Sequence, residues 1–230
     1  MALATMVVSS TLPARTELAD RLARLLPGCR PETTSTLAET ARIRNLRPGD
    51  VMYAQGEVVP ITLILEGFGI ARRTTADGQE LASGVAQSNV VFGYSGMGAQ
   101  PSSVELYAIT DATIAQWPGA EFRALSVTDV GLALVAIDSM AASLHQTIER
   151  IEGFLHQNAR RRVVRILARH RALFFDDPAV LNRTHLAGLV GTTPEMTRRV
   201  LRQLEAEGTL QREGATGLRL LRPERLEGAL

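Results

Sequence analysis

The sequence predicts an α+β protein with an N-terminal, jelly-roll-like β-roll, a long central helix and a C-terminal winged helix-turn-helix. Three observations carry this expectation. Short apolar or alternating segments broken by glycine turns fill residues 33–118, an unbroken heptad pattern follows, and the last third is helical, basic and closed by a small-residue hairpin.

The β region reads as strands at Arg42 to Leu46, Val51 to Ala54, Thr62 to Leu65, Gly69 to Arg73, Leu81 to Gly84, Leu106 to Ile109 and Thr113 to Gln116. Turn signals at Pro48-Gly49-Asp50, Glu66-Gly67, Asp77-Gly78 and Phe92-Gly93 recur at the spacing of an all-β sandwich or barrel. After Pro118-Gly119 the period changes. Leu134, Ile137, Ala141, Leu144, Ile148, Ile151 and Leu155 follow one another in alternating steps of three and four, a narrow seam that suits a parallel copy of the same helix. One helix packed on its own β domain is the plainer alternative, but such a helix usually shows a wider apolar face. From Asn158 a basic amphipathic helix runs toward Asp176-Asp177-Pro178, its Arg run by itself fitting a solvated face. The expected division is an N-terminal segment 1–32, a β-roll sensor domain 33–118, a dimerisation helix 119–157 and a DNA-binding domain 158–230.

Composition bounds the function. With 230 residues, 45% hydrophobic and 21% charged, the chain can bury a core without disulfides. Its longest apolar stretches are interrupted by Asp129, Asp138, His145 and Glu149 before a membrane span accumulates, and Leu3 to Val8 lacks the basic flank of a secretory signal. A cytoplasmic protein with no membrane partner is expected. The net charge of +1 hides an asymmetry: residues 1–150 carry 11 Arg against 15 acids, residues 151–230 carry 14 Arg against 9. The basic third is where a polyanion would bind. A single cysteine, Cys29, excludes a cysteine-ligated iron–sulfur cluster and reads as an inert, partly buried thiol rather than a redox sensor.

In the last third, Asn182 or Thr184 can cap a short helix with Leu186, Leu189 and Val190 on one face, and Gly191 closes it. Pro194 opens a second helix at a first-turn position. There Met196, Val200, Leu201 and Leu204 form the expected buried stripe, so Glu195, Arg198, Arg199 and Arg202 point outward together. Arg donates bidentately to guanine and Glu accepts from cytosine, which suits a major groove. Leu210-Gln211-Arg212 and Leu218-Arg219-Leu220, around Gly214-Ala215-Thr216-Gly217, make the wing.

Over residues 35 to 222 the chain resembles the CRP/FNR superfamily of dimeric bacterial transcription regulators. Asn182 through Glu205 looks like that family's recognition motif, with Glu195 and Arg199 where the family has its base-reading pair. Arg47-Pro48-Gly49-Asp50, Gln55-Gly56-Glu57, Leu65-Glu66-Gly67 and Asp77-Gly78 resemble the turns of its cyclic-nucleotide-binding roll, and the seam helix resembles its dimerisation helix. The resemblance implies a non-enzymatic homodimer reading an inverted repeat of double-stranded DNA. Base readout falls to Glu195, Arg198 and Arg199, and phosphate contacts to Arg183, Thr184, Thr193, Arg202, Arg212 and Arg219. RNA polymerase is the expected further partner if the protein activates.

Two departures bear on the effector. Cyclic-AMP-type members carry Gly-Glu and Arg-Ser or Arg-Thr in the phosphate cassette, where this chain has Gly93-Tyr94 and Pro101-Ser102-Ser103. A cyclic phosphate buried there would lack a charged partner, so cyclic AMP is not expected. Pro194 also replaces an additional guanine-reading Arg of those members, leaving Arg198 as a substitute reader. An effector pocket is expected around Phe92, Tyr94, Ser102, Ser103, Ser143 and Thr147, unless Phe92, Tyr94 and Met97 fill that space. No cofactor and no metal are expected. Haem- or thiol-based sensing is the minor alternative, and His145, His156, His170 and His185 all lie outside the roll. That same lack of β-domain histidine counts against a small β-barrel metal enzyme.

Overall fold

The computed structural model describes residues 14–75 and 80–227. Among the described residues, two helices precede the first strand: α1 (Arg15–Leu25) and α2 (Pro31–Thr40). Leu18 and Leu22 of α1 and Leu37 and Ala38 of α2 are buried on the β-roll. The opening of the predicted β domain, residues 33–40, is therefore helical. Pro31 at its first turn pre-sets the helical φ, and burial of Leu37 and Ala38 outweighs the strand-like threonines.

Strands β1 (Arg42–Leu46), β2 (Val51–Tyr53), β3 (Ile61–Glu66), β4 (Phe68–Thr74), β5 (Glu80–Gln87), β6 (Val91–Phe92), β7 (Glu105–Ala108) and β8 (Ala112–Trp117) form two antiparallel sheets. Their orders are β1-β8-β3-β6 and β2-β7-β4-β5, with a 3-10 turn at Tyr94–Gly98 between β6 and β7. The predicted strands are present, with the two-residue β6 added; the Asp77-Gly78 turn lies outside the described residues. Gly67 must be glycine: at φ +88° a Cβ there would stand 2.3 Å from the Asp111 carbonyl oxygen.

The helix expected across 119–157 is two helices, α3 (Gly119–Thr128) and α4 (Val130–His156). Asp129 breaks them apart. Its buried carboxylate caps α4 by accepting from the N–H groups of Gly131 (2.9 Å) and Leu132 (3.4 Å), and also accepts from Arg30 N–H at 2.9 Å. The Thr33 hydroxyl, together with these backbone donors, holds the carboxyl below its ordinary pKa. Gly131 completes the joint, because a Cβ there would meet the Gly28 carbonyl oxygen at 2.0 Å. The buried Trp117 Nε1 donates to Leu37 O at 2.7 Å and ties α2 to β8. The start of α4 is thus fixed to both the N-terminal helices and the roll.

The C-terminal part contains α5 (Ala159–Arg169), α6 (Arg171–Phe175), α7 (Arg183–Val190), α8 (Pro194–Ala206), the hairpin β9 (Leu210–Glu213) and β10 (Gly217–Leu220), and α9 (Glu224–Glu227). Its core is continuous with the roll: Ile70 and Ala82 of the β4–β5 hairpin pack in one cluster with Val163, Leu167, Leu186 and Leu189. Among the described residues no helix is long and apolar enough to cross a membrane.

Replacing Asp129 by Ala removes a charged cap and leaves the Arg30, Gly131 and Leu132 N–H groups short of an acceptor. The expected loss is about 2 kcal/mol of stability, read from urea denaturation, with Asn recovering part of it.

Candidate nucleic-acid interface

Asn182 begins α7 as its cap. Asn182 Oδ1 accepts from the Thr184 N–H at 3.0 Å and from the Thr184 hydroxyl at 2.6 Å, while its own N–H donates to His185 Nδ1 at 3.2 Å. The helix ends at Gly191 in the left-handed conformation (φ +65°), where a Cβ would strike the Phe154 ring at 2.4 Å. Thr193 then caps α8, accepting the Met196 N–H at 3.2 Å, with Pro194 in the first turn.

Along α8 the buried positions are Thr197, Val200, Leu201 and Leu204. Thr197 takes the place expected for Met196, which is only half-buried, because its hydroxyl is satisfied by Thr193 O at 3.1 Å. Glu195, Arg198, Arg199 and Arg202 are exposed on the other side, as predicted. Glu195 and Arg198 stand 3.8 Å apart with most of both side chains in water, a pairing weak enough to exchange for DNA contacts.

The residues expected on phosphates divide into two groups. Arg202 and Arg219 are exposed. The others hold structural partners. The Arg212 guanidinium binds Glu205 through Nε and Nη2, both at 2.8 Å. The Arg183 guanidinium donates to Ala215 O and its N–H to Thr216 O at 3.0 Å, tying α7 to the wing turn. Thr184 and Thr193 serve in the two caps. Even so, Arg183, Arg198, Arg202 and Arg212 line one groove between α7, α8 and the wing.

The heptad residues Leu134, Ile137, Ala141, Leu144, Ile148, Ile151 and Leu155 all lie exposed along α4, Leu144 at 63% and Leu155 at 72%. The residues named for an effector pocket have different surroundings. Tyr94 is buried with its ring edge-on to Phe122, centroids 5.8 Å apart, and Phe92 packs against the roll cluster of Leu46, Met52, Ile64, Leu106 and Ile114. The buried Ser102 hydroxyl is satisfied by Val104, donating to its carbonyl at 2.6 Å, and Ser103 is exposed. Ser143 and Thr147 face solvent on α4, bonded only within the helix at 2.8 Å.

Burial, helped by Asp129, pushes the half-buried Cys29 thiol up to about 11, so it stays protonated and poorly nucleophilic. His145 and His156 are exposed on α4, and His145 lies 3.5 Å from Glu149. Among the described residues no group of three or more His, Cys, Asp or Glu side chains could hold a metal ion. Sequence reasoning missed a cleft where Arg150, Arg162, Arg165, Arg169 and His170 converge between α4, α5 and β5. The spacing of Arg162, Arg165 and Arg169 on α5 was legible, but only the fold brings Arg150 opposite them.

A roll joined by a long helix to a winged helix-turn-helix with an exposed Glu and Arg surface defines a DNA-binding transcription regulator with a cyclic-nucleotide-binding-like domain. Comparison with known proteins places it further. Residues 43–129 match the cyclic nucleotide-binding domain family and residues 149–229 the Crp-like helix-turn-helix domain family. The cAMP-activated global transcriptional regulator Vfr of Pseudomonas aeruginosa is 26% identical over 191 residues, 78% of this chain and 89% of Vfr. FixK2 of Bradyrhizobium japonicum is similar in structure, with a TM-score of 0.70, 20% identity and coverage of 83% of this chain and 97% of that one. CLP of Xanthomonas campestris, described as c-di-GMP responsive, has a TM-score of 0.69 at 22% identity and covers 83% of this chain and 99% of its own. The chain has the fold of CRP/FNR-type transcription regulators, a cyclic nucleotide-binding domain followed by a Crp-like helix-turn-helix domain.

The histidines give this region an acid limit. Desolvation, followed by the Arg169 charge, holds His170 down at about 4, and burial lowers His185. Both titrate near about 6.5 when unfolded. The unfolded chain therefore takes protons that the folded one refuses, so stability is full above about pH 6.5 and falls as pH drops toward about 4. Thermal melts across that range should show the decline, and His170→Gln should flatten it.

Proposed function

We propose that two copies of this chain pair through the α4 seam and that the dimer reads an inverted repeat with half-sites about one DNA turn apart. The observation that carries this reading is the surface of α8. Glu195, Arg198, Arg199 and Arg202 are exposed together on a helix whose opposite face is buried and whose first turn is fixed by Thr193 and Pro194. In this reading Glu195 accepts from cytosine and Arg199 donates to guanine, with Arg198 reading beside them in the absence of an Arg at Pro194. Arg202 and Arg219 hold phosphates directly. Arg183, Thr184, Thr193 and Arg212 touch the backbone while keeping the caps and the wing in place. RNA polymerase is the partner if the outcome is activation.

The exposed seam supports pairing, since Leu134, Ile137, Leu144, Ile148, Ile151 and Leu155 stand in water in the single chain. The effector differs from that named for Vfr. Tyr94 stands where a ribose-binding Glu would, and it is packed into the core against Phe122. No guanidinium takes the cassette's other end, at Pro101-Ser102-Ser103.

Selection of random duplex DNA by the purified protein should recover an inverted repeat. Arg199→Ala should cost about 1 to 3 kcal/mol on that site and relax one guanine, whereas Arg219→Ala should weaken all sequences alike and shallow the salt dependence. An unchanged consensus for Arg199→Ala would refute its assignment. In sedimentation equilibrium the pair Leu144→Glu and Ile148→Glu should shift a dimer to monomer, since two like charges would face each other across the seam.

A further inference from the structure

The cleft between the C-terminal half of α4, helix α5 and strand β5 has an unusual charge balance. Arg150 enters it from α4, and Arg162, Arg165, Arg169 and His170 from α5 and its end, with no Asp or Glu among the lining residues. The positive groups are close enough to disfavour one another: Arg169 lowers the proton affinity of both Arg150 and His170, on top of their desolvation. Some of this charge has structural work. Arg150 donates to Ala82 O at 3.0 Å, and Arg162 donates to Gln157 O at 2.8 Å and Val190 O at 3.3 Å while stacking on Phe154. Arg165 and Arg169 form no ion pair among the described residues. Arg165 Nη1 reaches back toward α4, 3.5 Å from where a Cβ on Gly153 would sit. Gln157 Oε1, also in the lining, is buried without a partner. The cleft is compact, about 140 Å³, and apolar on its floor at Val85, Ile166 and Leu189.

We propose that this cleft is a binding site for a phosphate group, held chiefly by Arg165 and Arg169 with Arg150 opposite. Unpaired guanidiniums around a partly apolar floor favour a dianion, and the planar guanidinium fork matches the several oxygens of a phosphate. A single carboxylate would leave more of the charge unbalanced. The site shares no lining residue with the Arg183, Arg198 and Arg202 groove, and neither Tyr94 nor Ser102 of the roll lines it. A bound phosphate would link α4 to α5 and so brace the helices joining the sensor roll to the DNA-binding part. The claim of binding does not depend on the DNA reading, and its test contains no DNA.

Calorimetric titration of the full chain with inorganic phosphate, phenyl phosphate and succinate tests the proposal. Saturable phosphate binding is expected, weakened tenfold or more in the double variant Arg165→Gln, Arg169→Gln. It should be retained by Arg161→Gln, which alters an exposed position on the same helix outside the cleft. Arg169→Lys, keeping the charge without the fork, should fall between, and it serves if the double variant does not fold by circular dichroism. Binding of phenyl phosphate alongside phosphate assigns the site to a phosphomonoester, and its rejection to the free ion. The proposal is overturned by an absence of saturable binding, by equal binding in wild type and the Arg165 and Arg169 variants, or by a preference for succinate.

Discussion

Helix α4 cannot bury its own apolar side chains, and much of the remaining architecture depends on that. Over 27 residues it buries only Leu132, Ala136 and Gly153, while nine large hydrophobic side chains from Val130 to Leu155 are exposed. A helix of this kind has little tertiary packing along its middle to hold it, and propensity alone gives marginal support in water. Its ends are accordingly fixed. At the start Asp129 and Gly131 clamp it to Arg30 and Gly28, and near the other end Arg150 and Phe154 engage Ala82 and Arg162. In the proposed dimer the middle is completed by the second copy, and the spacing of the two recognition helices is inherited from how firmly these ends are held.

The second end also joins the two functional halves. The β4–β5 hairpin does not merely lie near the DNA-binding part: Ala82 stands within van der Waals range of a Cβ on Gly188, and the Phe154 ring fills the space a side chain on Gly191 would need. Two glycines of α7 and its cap thus permit close approach by the roll and by α4. Close packing transmits displacement because it leaves no slack. A rotation of α4 or a shift of β5 would press on the helix that precedes α8, which is the physical connection a sensor needs to reach DNA. It transmits a signal only if two arrangements of these contacts exist and a ligand favours one.

The sequence made this architecture legible wherever a local rule and the tertiary outcome agree. Strands punctuated by Gly67 and Gly93 are visible because those turns need glycine, and the helix-turn-helix is visible because Asn182, Gly191, Thr193 and Pro194 each carry a separate capping or turn signal. The exposed heptad stripe of α4 is readable from its period. What escaped was set by contacts distant in sequence. Residues 33–40 read as the start of the β domain because their helix is stabilised by burial on sheet residues far along the chain. Asp129 looked like an interruption in an apolar run, and its role as a cap emerges only with Arg30 and Thr33 beside it. Thr197 in the stripe of α8 follows the same logic, since a threonine is cheap to bury only when its hydroxyl finds Thr193 O.

The functional residues show the same division more sharply. Residue type and helical phase sufficed to place Glu195, Arg198, Arg199 and Arg202 on one exposed face. They did not reveal that Arg212 is engaged by Glu205 or that Arg183 braces the wing turn. Those partners matter for specificity. An Arg already held by a carboxylate is oriented before DNA arrives, so less side-chain entropy is lost on contact, but part of its charge is neutralised and its electrostatic gain shrinks. The arginines therefore differ in kind: Arg199 and Arg202 are free of such partners among the described residues, as the proposed base and phosphate contacts require, whereas Arg183 and Arg212 chiefly hold the wing and α7 in register. In the proposed reading the geometry of the groove is set before binding, and discrimination between sequences would rest on the few side chains of α8 that have no prior commitment.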